Sequence, residues 1–177
     1  RSVIEALFFQ GPQTLKAEGL NAATEYVYLV AGFDMNEGLY VVTEVTDGSF
    51  VTEEPASSGL TFDISVTDIE QMRAAILITP SDLTEKFCWM VQPYDGTSSA
   101  EEVMNEIVAA NKMWFDMGFM TYTGVQDYTG GPDSPYKFKL DTPDTEYCVI
   151  AFGYAGGVTS EPVMVTFRTL PGDDPAD

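Results

Sequence analysis

The phrase TEYVYLVAGFD begins at Thr24, and TEYCVIAFGYA begins at Thr145, 121 positions later. The matches run beyond these phrases. Leu20 corresponds to Leu140, Tyr26 to Tyr147, Gly32 to Gly153, and Phe50-x-Thr52 to Phe167-x-Thr169, with one residue inserted before Thr145. Self-similarity at a fixed spacing means two copies of one structural unit. Each phrase also alternates. Tyr147, Val149, Ala151 and Gly153 fall on one side, and Cys148, Ile150, Phe152 and Tyr154 on the other, the period of a β-strand. Both sides are largely apolar, which predicts a central strand covered on both faces.

The stretch before the second phrase, Leu140-x-x-Pro143-x-Thr145-x-Tyr147, reads as a corner. Pro143 sets the turn, and Tyr147 can send its hydroxyl back to the backbone upstream. In the first copy Ala22 and Ala23 stand at the proline's place, but Leu20, Thr24 and Tyr26 remain. The pattern L-x-P-x-T-x-Y-x-V-x-A, with a glycine turn and a closing F-x-T strand, resembles the end of a fibronectin type III domain. The T-E-Y-x-x-x-A-x-G and F-x-T spellings resemble the tandem fibronectin-III-like modules of Bacteroidetes surface lipoproteins, over roughly residues 18–53 and 60–170. The resemblance implies a mainly β fold: tandem immunoglobulin-like β-sandwiches, exported to the cell surface and lipid-anchored from sequence outside residues 1–177. It says nothing about chemistry.

The second unit is predicted to run from 59 to 170. Leu60–Val66, Ala74–Pro80, Lys86–Tyr94, Tyr136–Leu140, Tyr147–Tyr154 and Val163–Thr169 read as strands, with Trp89 as a core anchor. Lys137 and Lys139 are expected to face solvent and protect an edge. Ser99-x-x-Glu102 opens a capping box. Apolar residues at Val103, Ile107, Ala110 and Trp114, flanked by Met104, Val108 and Phe115, then predict an inserted helix over 99–117, closed by Gly118. The first unit, 1–54, is short. Residues 1–10 read as a helix ending at Gly11, in register with the end of the inserted helix, so this unit is expected to be truncated at its start. Upstream residues or a partner would close its sheets. Thr52–Gly59 is a short linker, and 171–177 a tail or a further linker.

Composition narrows function. The chain carries 28 acidic residues against 8 basic, a net charge of −20. Nine acids and two bases precede Pro55, so both parts share one sign. Such a surface repels nucleic acid and anionic membranes and suits a solvated module. No apolar run is long enough to span a membrane. There is no histidine, which excludes Ser-His-Asp and Cys-His catalysis and the usual zinc ligand sets. No cofactor or metal site is predicted: Asp133, Asp141, Asp144, Asp173 and Asp174 lack calcium-loop spacing and read as turn and cap residues. Carboxylates numerous enough to pair by chance do not single out a glycosidase couple. The chain is therefore not read as an enzyme. Gly130 and Gly131 are not followed by lysine and do not make a phosphate loop.

Two features stay open. Cys88 and Cys148 fall on strands that are neighbours in the resembled family, both facing the helix. They form either a cross-strand disulfide or, the favoured reading, two buried thiols. Trp114, Tyr122, Tyr128 and Tyr136 surround the helix end and the following loop and are candidate ligand-binding residues. Their rigid faces suit a glycan or another surface protein. Packing of the helix onto the sheet is the favoured role for Trp114, whereas Tyr122 and Tyr128 stand evenly between contact and packing. The function expected from these readings is a non-catalytic structural, adhesion or spacer module of a larger surface protein. The alternative is glycan or protein recognition through these aromatics.

Overall fold

The computed structural model describes residues 9–17, 20–34, 40–41, 43–132 and 134–172. The expected helix over 1–10 lies largely outside these residues, as do Asp133, Asp173, Asp174 and most of the tail; Phe9 and Gln10, which are described, are not helical. The described chain is mainly β, in antiparallel sheets, with one helix.

Between residues 60 and 170 two sheets face each other. One contains β5 (Phe62–Thr67), β6 (Arg73–Pro80) and β8 (Gln126–Tyr128), with β9 (Phe138–Lys139) also pairing β6. The other is ordered β11 (Val163–Arg168), β10 (Glu146–Gly153), β7 (Phe87–Pro93). The two-residue period explains how the layers share β10. Tyr147, Val149 and Ala151 enter the core between the sheets, with Ile76, Ile78, Phe87 and Trp89. Cys148, Ile150 and Phe152 enter a second core on the outer face. Both faces of β10 are thus buried, as its unbroken apolar run requires.

The second core is covered by α1 (Ala100–Asp116). The capping box forms as read: the Glu102 N–H donates to Ser99 Oγ at 3.2 Å, and the Ser99 N–H to Glu102 Oε2 at 2.7 Å. Asp95 accepts from the Thr97 and Ser98 N–H groups just upstream. Gly118, at φ +80°, supplies the left-handed residue that ends the helix. Val103, Met104, Ile107 and Phe115 are the buried side chains. The stripe advances as Met104, Val108, Asn111, Phe115, so Phe115 reaches Tyr154, ring centres 5.0 Å apart. Ala110 and Trp114, expected to pack, lie off this stripe and are exposed.

The corner is duplicated in its main-chain bonds; the second copy adds one between the Tyr147 hydroxyl and Thr142 Oγ1 at 2.8 Å. The Thr142 N–H donates to the Tyr147 hydroxyl at 3.1 Å, and the Asn21 N–H donates to the Tyr26 hydroxyl at 2.8 Å. The Thr145 N–H donates to Thr169 Oγ1 at 2.9 Å, and the Thr24 N–H to Thr52 Oγ1 at 2.9 Å. Asp144 and Ala23 take φ of +48° and +47°. Each tyrosine stacks on its cross-strand phenylalanine at 5.8 Å and 22°: Tyr147 on Phe167, Tyr26 on Phe50. Each phrase pairs antiparallel with its F-x-T strand, β10 with β11 and β1 (Glu25–Val30) with β4 (Thr46–Val51). A short pair, β2 (Phe33–Asp34) and β3 (Tyr40–Val41), follows β1 in the chain.

The surroundings of the two copies differ. Among the described residues β1 pairs with β4 alone. Val27, Tyr28, Leu29 and Val30 are all more than half exposed. Their counterparts Cys148, Val149, Ile150 and Ala151 are fully buried. The Thr24 main chain bonds toward β4. By alternation the N–H and C=O groups of Glu25, Val27 and Leu29 aim the other way. In the second copy the equivalent direction is filled by β7, and just past its end the Tyr94 N–H donates to the Glu146 carbonyl at 2.9 Å.

Candidate functional site

The segment after α1 is more ordered by pairing than its turn-rich composition predicts. Gln126–Tyr128 forms β8 on β6, and Tyr122 exchanges two main-chain hydrogen bonds with Phe87, at 2.9 and 2.8 Å. Two of the four candidate aromatics face Trp89. The Tyr122 and Tyr128 ring centres lie 6.0 and 5.3 Å from the indole, and Phe138 closes the group at 5.6 Å. Tyr128 packs against the main core, while Tyr122 keeps an exposed edge. Burial pushes the Tyr122 hydroxyl above the usual tyrosine range. Trp89 anchors the core as read, but its buried Nε1–H has no partner among the described residues. Trp114 stands apart on α1, half exposed, with Phe119 against its edge at 6.0 Å.

Tyr136 is the most exposed of the four, at 76%. It rims an open cleft of about 430 Å³ with Glu70, Arg73, Gly130, Lys137 and Lys139. Three cations and one carboxylate line this cleft, in a chain with only eight basic residues. Lys137 is not the free edge residue expected. Its ammonium donates to Glu70 Oε1 at 2.6 Å and lies 3.9 Å from Asp68. Its stem lies over Gly130, where a Cβ would meet Lys137 Cγ at 3.1 Å and where φ is +76°. The Lys137 hydrogen bond and charge hold the Glu70 carboxyl below its usual range, with a smaller push from Arg73. Arg73 and Lys139 are direct cross-strand partners in the β6–β9 register, so their side chains share one face. Neither forms a salt bridge with a described carboxylate. The sequence singles out Tyr136, Lys137 and Lys139. Arg73 escapes it, because nothing local to EQMRAAI announces which residue will lie opposite Lys139.

The cysteines are free and buried. They share the outer face under α1, as the alternation predicts, but the register sets them apart along the strands: Cys88 lies opposite Phe152, and Cys148 opposite Gln92. Burial pushes the Cys88 thiol up to about 12 and raises Cys148 as well. Neither is an activated nucleophile. Asp144 serves its turn and pairs with Arg168 at 3.0 Å. Among the described residues no three Cys, Asp or Glu side chains converge to hold a metal ion, and no helix is long and apolar enough to cross a membrane. No known protein-family model matches the chain, and a search of curated proteins finds no match either.

Proposed function

We propose that the chain is a pair of fibronectin-III-like, immunoglobulin-type units, the first partial (1–54) and the second complete (59–170), acting as a non-catalytic spacer or adhesion module on the outside of a cell. The single observation that carries this reading is the corner built twice with the same main-chain bonds, φ values and ring stacking. A tyrosine corner locks the entry into a central strand of an immunoglobulin-like sandwich, and two of them in one chain are the mark of serial modules. The acidic, solvated surface fits a part that separates other parts without adhering to polyanions. The buried, unactivated thiols fit a mechanical rather than a chemical role.

The test of location is an antibody raised against the chain and applied to intact cells that produce it. Labelling of unpermeabilised cells is the expected result. Labelling only after permeabilisation would overturn the surface assignment. The test of module type is an experimental structure of a longer product containing these residues, expected to show a full second sheet over β1 and β4.

A further inference from the structure

We propose that the cleft over the β6–β9 pair, beside the 130–137 loop, is a binding site for a short acidic saccharide, with Arg73 and Lys139 holding its carboxylate and Tyr136 stacking on the sugar ring. The inference needs only the cleft and does not rest on the module assignment. The first observation is the placement of Arg73 opposite Lys139. Like charges directly opposite on a strand pair destabilise the sheet, and in this chain carboxylates to neutralise them abound: 28 against 8 bases. Edge protection accounts for a lysine on β9. It does not account for a second cation facing it from β6. Lys137, by contrast, is already held by Glu70 at 2.6 Å, whereas Arg73 acts on Glu70 only as a minor influence and neither it nor Lys139 closes a salt bridge with a described carboxylate.

The second observation is the shape. The cleft is open, with about 430 Å³ of space, so a ligand would rest on it rather than be enclosed. Tyr136, at 76% exposure, presents an unpacked ring at its rim. An aromatic face beside two cations matches a sugar ring bearing a carboxylate: the ring stacks, and the guanidinium takes the carboxylate through paired N–H donors. The chain's overall charge sets the ligand's length. Within about 8–10 Å, the screening distance at ordinary salt, a ligand in the cleft feels chiefly the local described charges, Arg73, Lys137 and Lys139 against Glu70 and Asp68, three positive and two negative. A long polyanion would run on over acidic surface and be repelled, so one or two charged units fit best.

The test titrates the full chain with digalacturonate, with neutral maltose, with inorganic sulfate and with a Glu–Glu dipeptide, following backbone amide shifts by NMR. Saturable millimolar binding of digalacturonate, with shifts centred on Arg73, Tyr136 and Lys139 and none with maltose, is expected. Arg73→Gln and Lys139→Gln should each weaken it about tenfold, the loss of one charge-assisted contact, without lowering the melting temperature. Tyr136→Ala should weaken digalacturonate severalfold and leave sulfate unchanged. Absence of saturation, equal affinity for maltose, sulfate or the dipeptide, or indifference to both cation substitutions would overturn the proposal.

Discussion

Tyr147→Phe isolates one hydroxyl at the hinge of the fold. The oxygen accepts from the Thr142 N–H at 3.1 Å and bonds with Thr142 Oγ1 at 2.8 Å, while the ring is 3% exposed. Removing it leaves a partly buried backbone donor that water reaches poorly. The cost is about 1–2 kcal/mol: a net hydrogen bond plus part of the desolvation penalty for the orphaned N–H. For a unit of this size roughly 3–4 °C of melting temperature goes with each kcal/mol, so a fall of about 3–8 °C is expected by circular dichroism. Tyr26→Phe removes the same bond, from the Asn21 N–H at 2.8 Å, but that ring is only partly buried, and water can replace the lost partner. Its cost should stay below about 1 kcal/mol. Amide exchange at Thr142 should accelerate in the first variant, and at Asn21 in the second. A Tyr147→Phe protein that melts with the parent, or a Tyr26→Phe loss as large as that of Tyr147→Phe, would refute the argument that burial, together with the second bond to Thr142 Oγ1, decides what the hydroxyl contributes.

Three further outcomes are expected. Both cysteines should resist a water-soluble thiol reagent at pH 8 in the folded protein and react at once in denaturant. Because the Cys88 thiol lies near 12 when folded against 9.0 ordinarily, the folded state holds its proton more tightly. Stability from this group is therefore intact below about pH 9 and falls as pH rises from there toward 12, measurable by urea unfolding across that range. Ser99→Ala removes the acceptor of the Glu102 N–H and should cost about 1 kcal/mol. Since the Glu102 carboxyl is held below its usual value chiefly by the Ser99 backbone N–H, its stabilisation is present above the ordinary glutamate pKa and lost as pH falls; acid unfolding curves of wild type and Glu102→Gln should converge at low pH. Trp114→Phe should leave a blue-shifted emission from Trp89 that iodide quenches weakly. Trp89→Phe should leave a red-shifted, readily quenched emission from Trp114, about half exposed.

Much of the fold is legible because its signals are local. The alternation from Tyr147 to Tyr154 needs no partner to be read, and it predicts which residues meet the sheet core and which meet the helix. The capping box and Gly118 bracket α1 to within a residue. The corner is legible because the repeat exposes it. What escapes is non-local or marginal. Gln126–Tyr128 is three residues of polar character among turn formers, and only its pairing with Ile76–Ile78 makes it a strand. Trp114 and Phe115 lie about 100° apart around the helix, at the two edges of a broad apolar stripe, and the choice between them depends on Tyr154, which no pattern within the helix records. The cationic cleft is legible only in part. Lys137 and Lys139 announce an edge, but Glu70's hold on one and Arg73's place opposite the other come from register.

The bare side of β1 bears on how this protein behaves in concentrated solution. Among the described residues β1 has both faces apolar and its outward amides unclaimed, and a strand left so is a template onto which an extended chain can grow, including a sister copy. What holds sister copies off at neutral pH is mutual repulsion between bodies of charge −20 each. Colloidal stability and fold stability therefore rest on separate supports. Salt or mild acid weakens the first while leaving the buried sheets in place, so clustering through β1 is expected before melting.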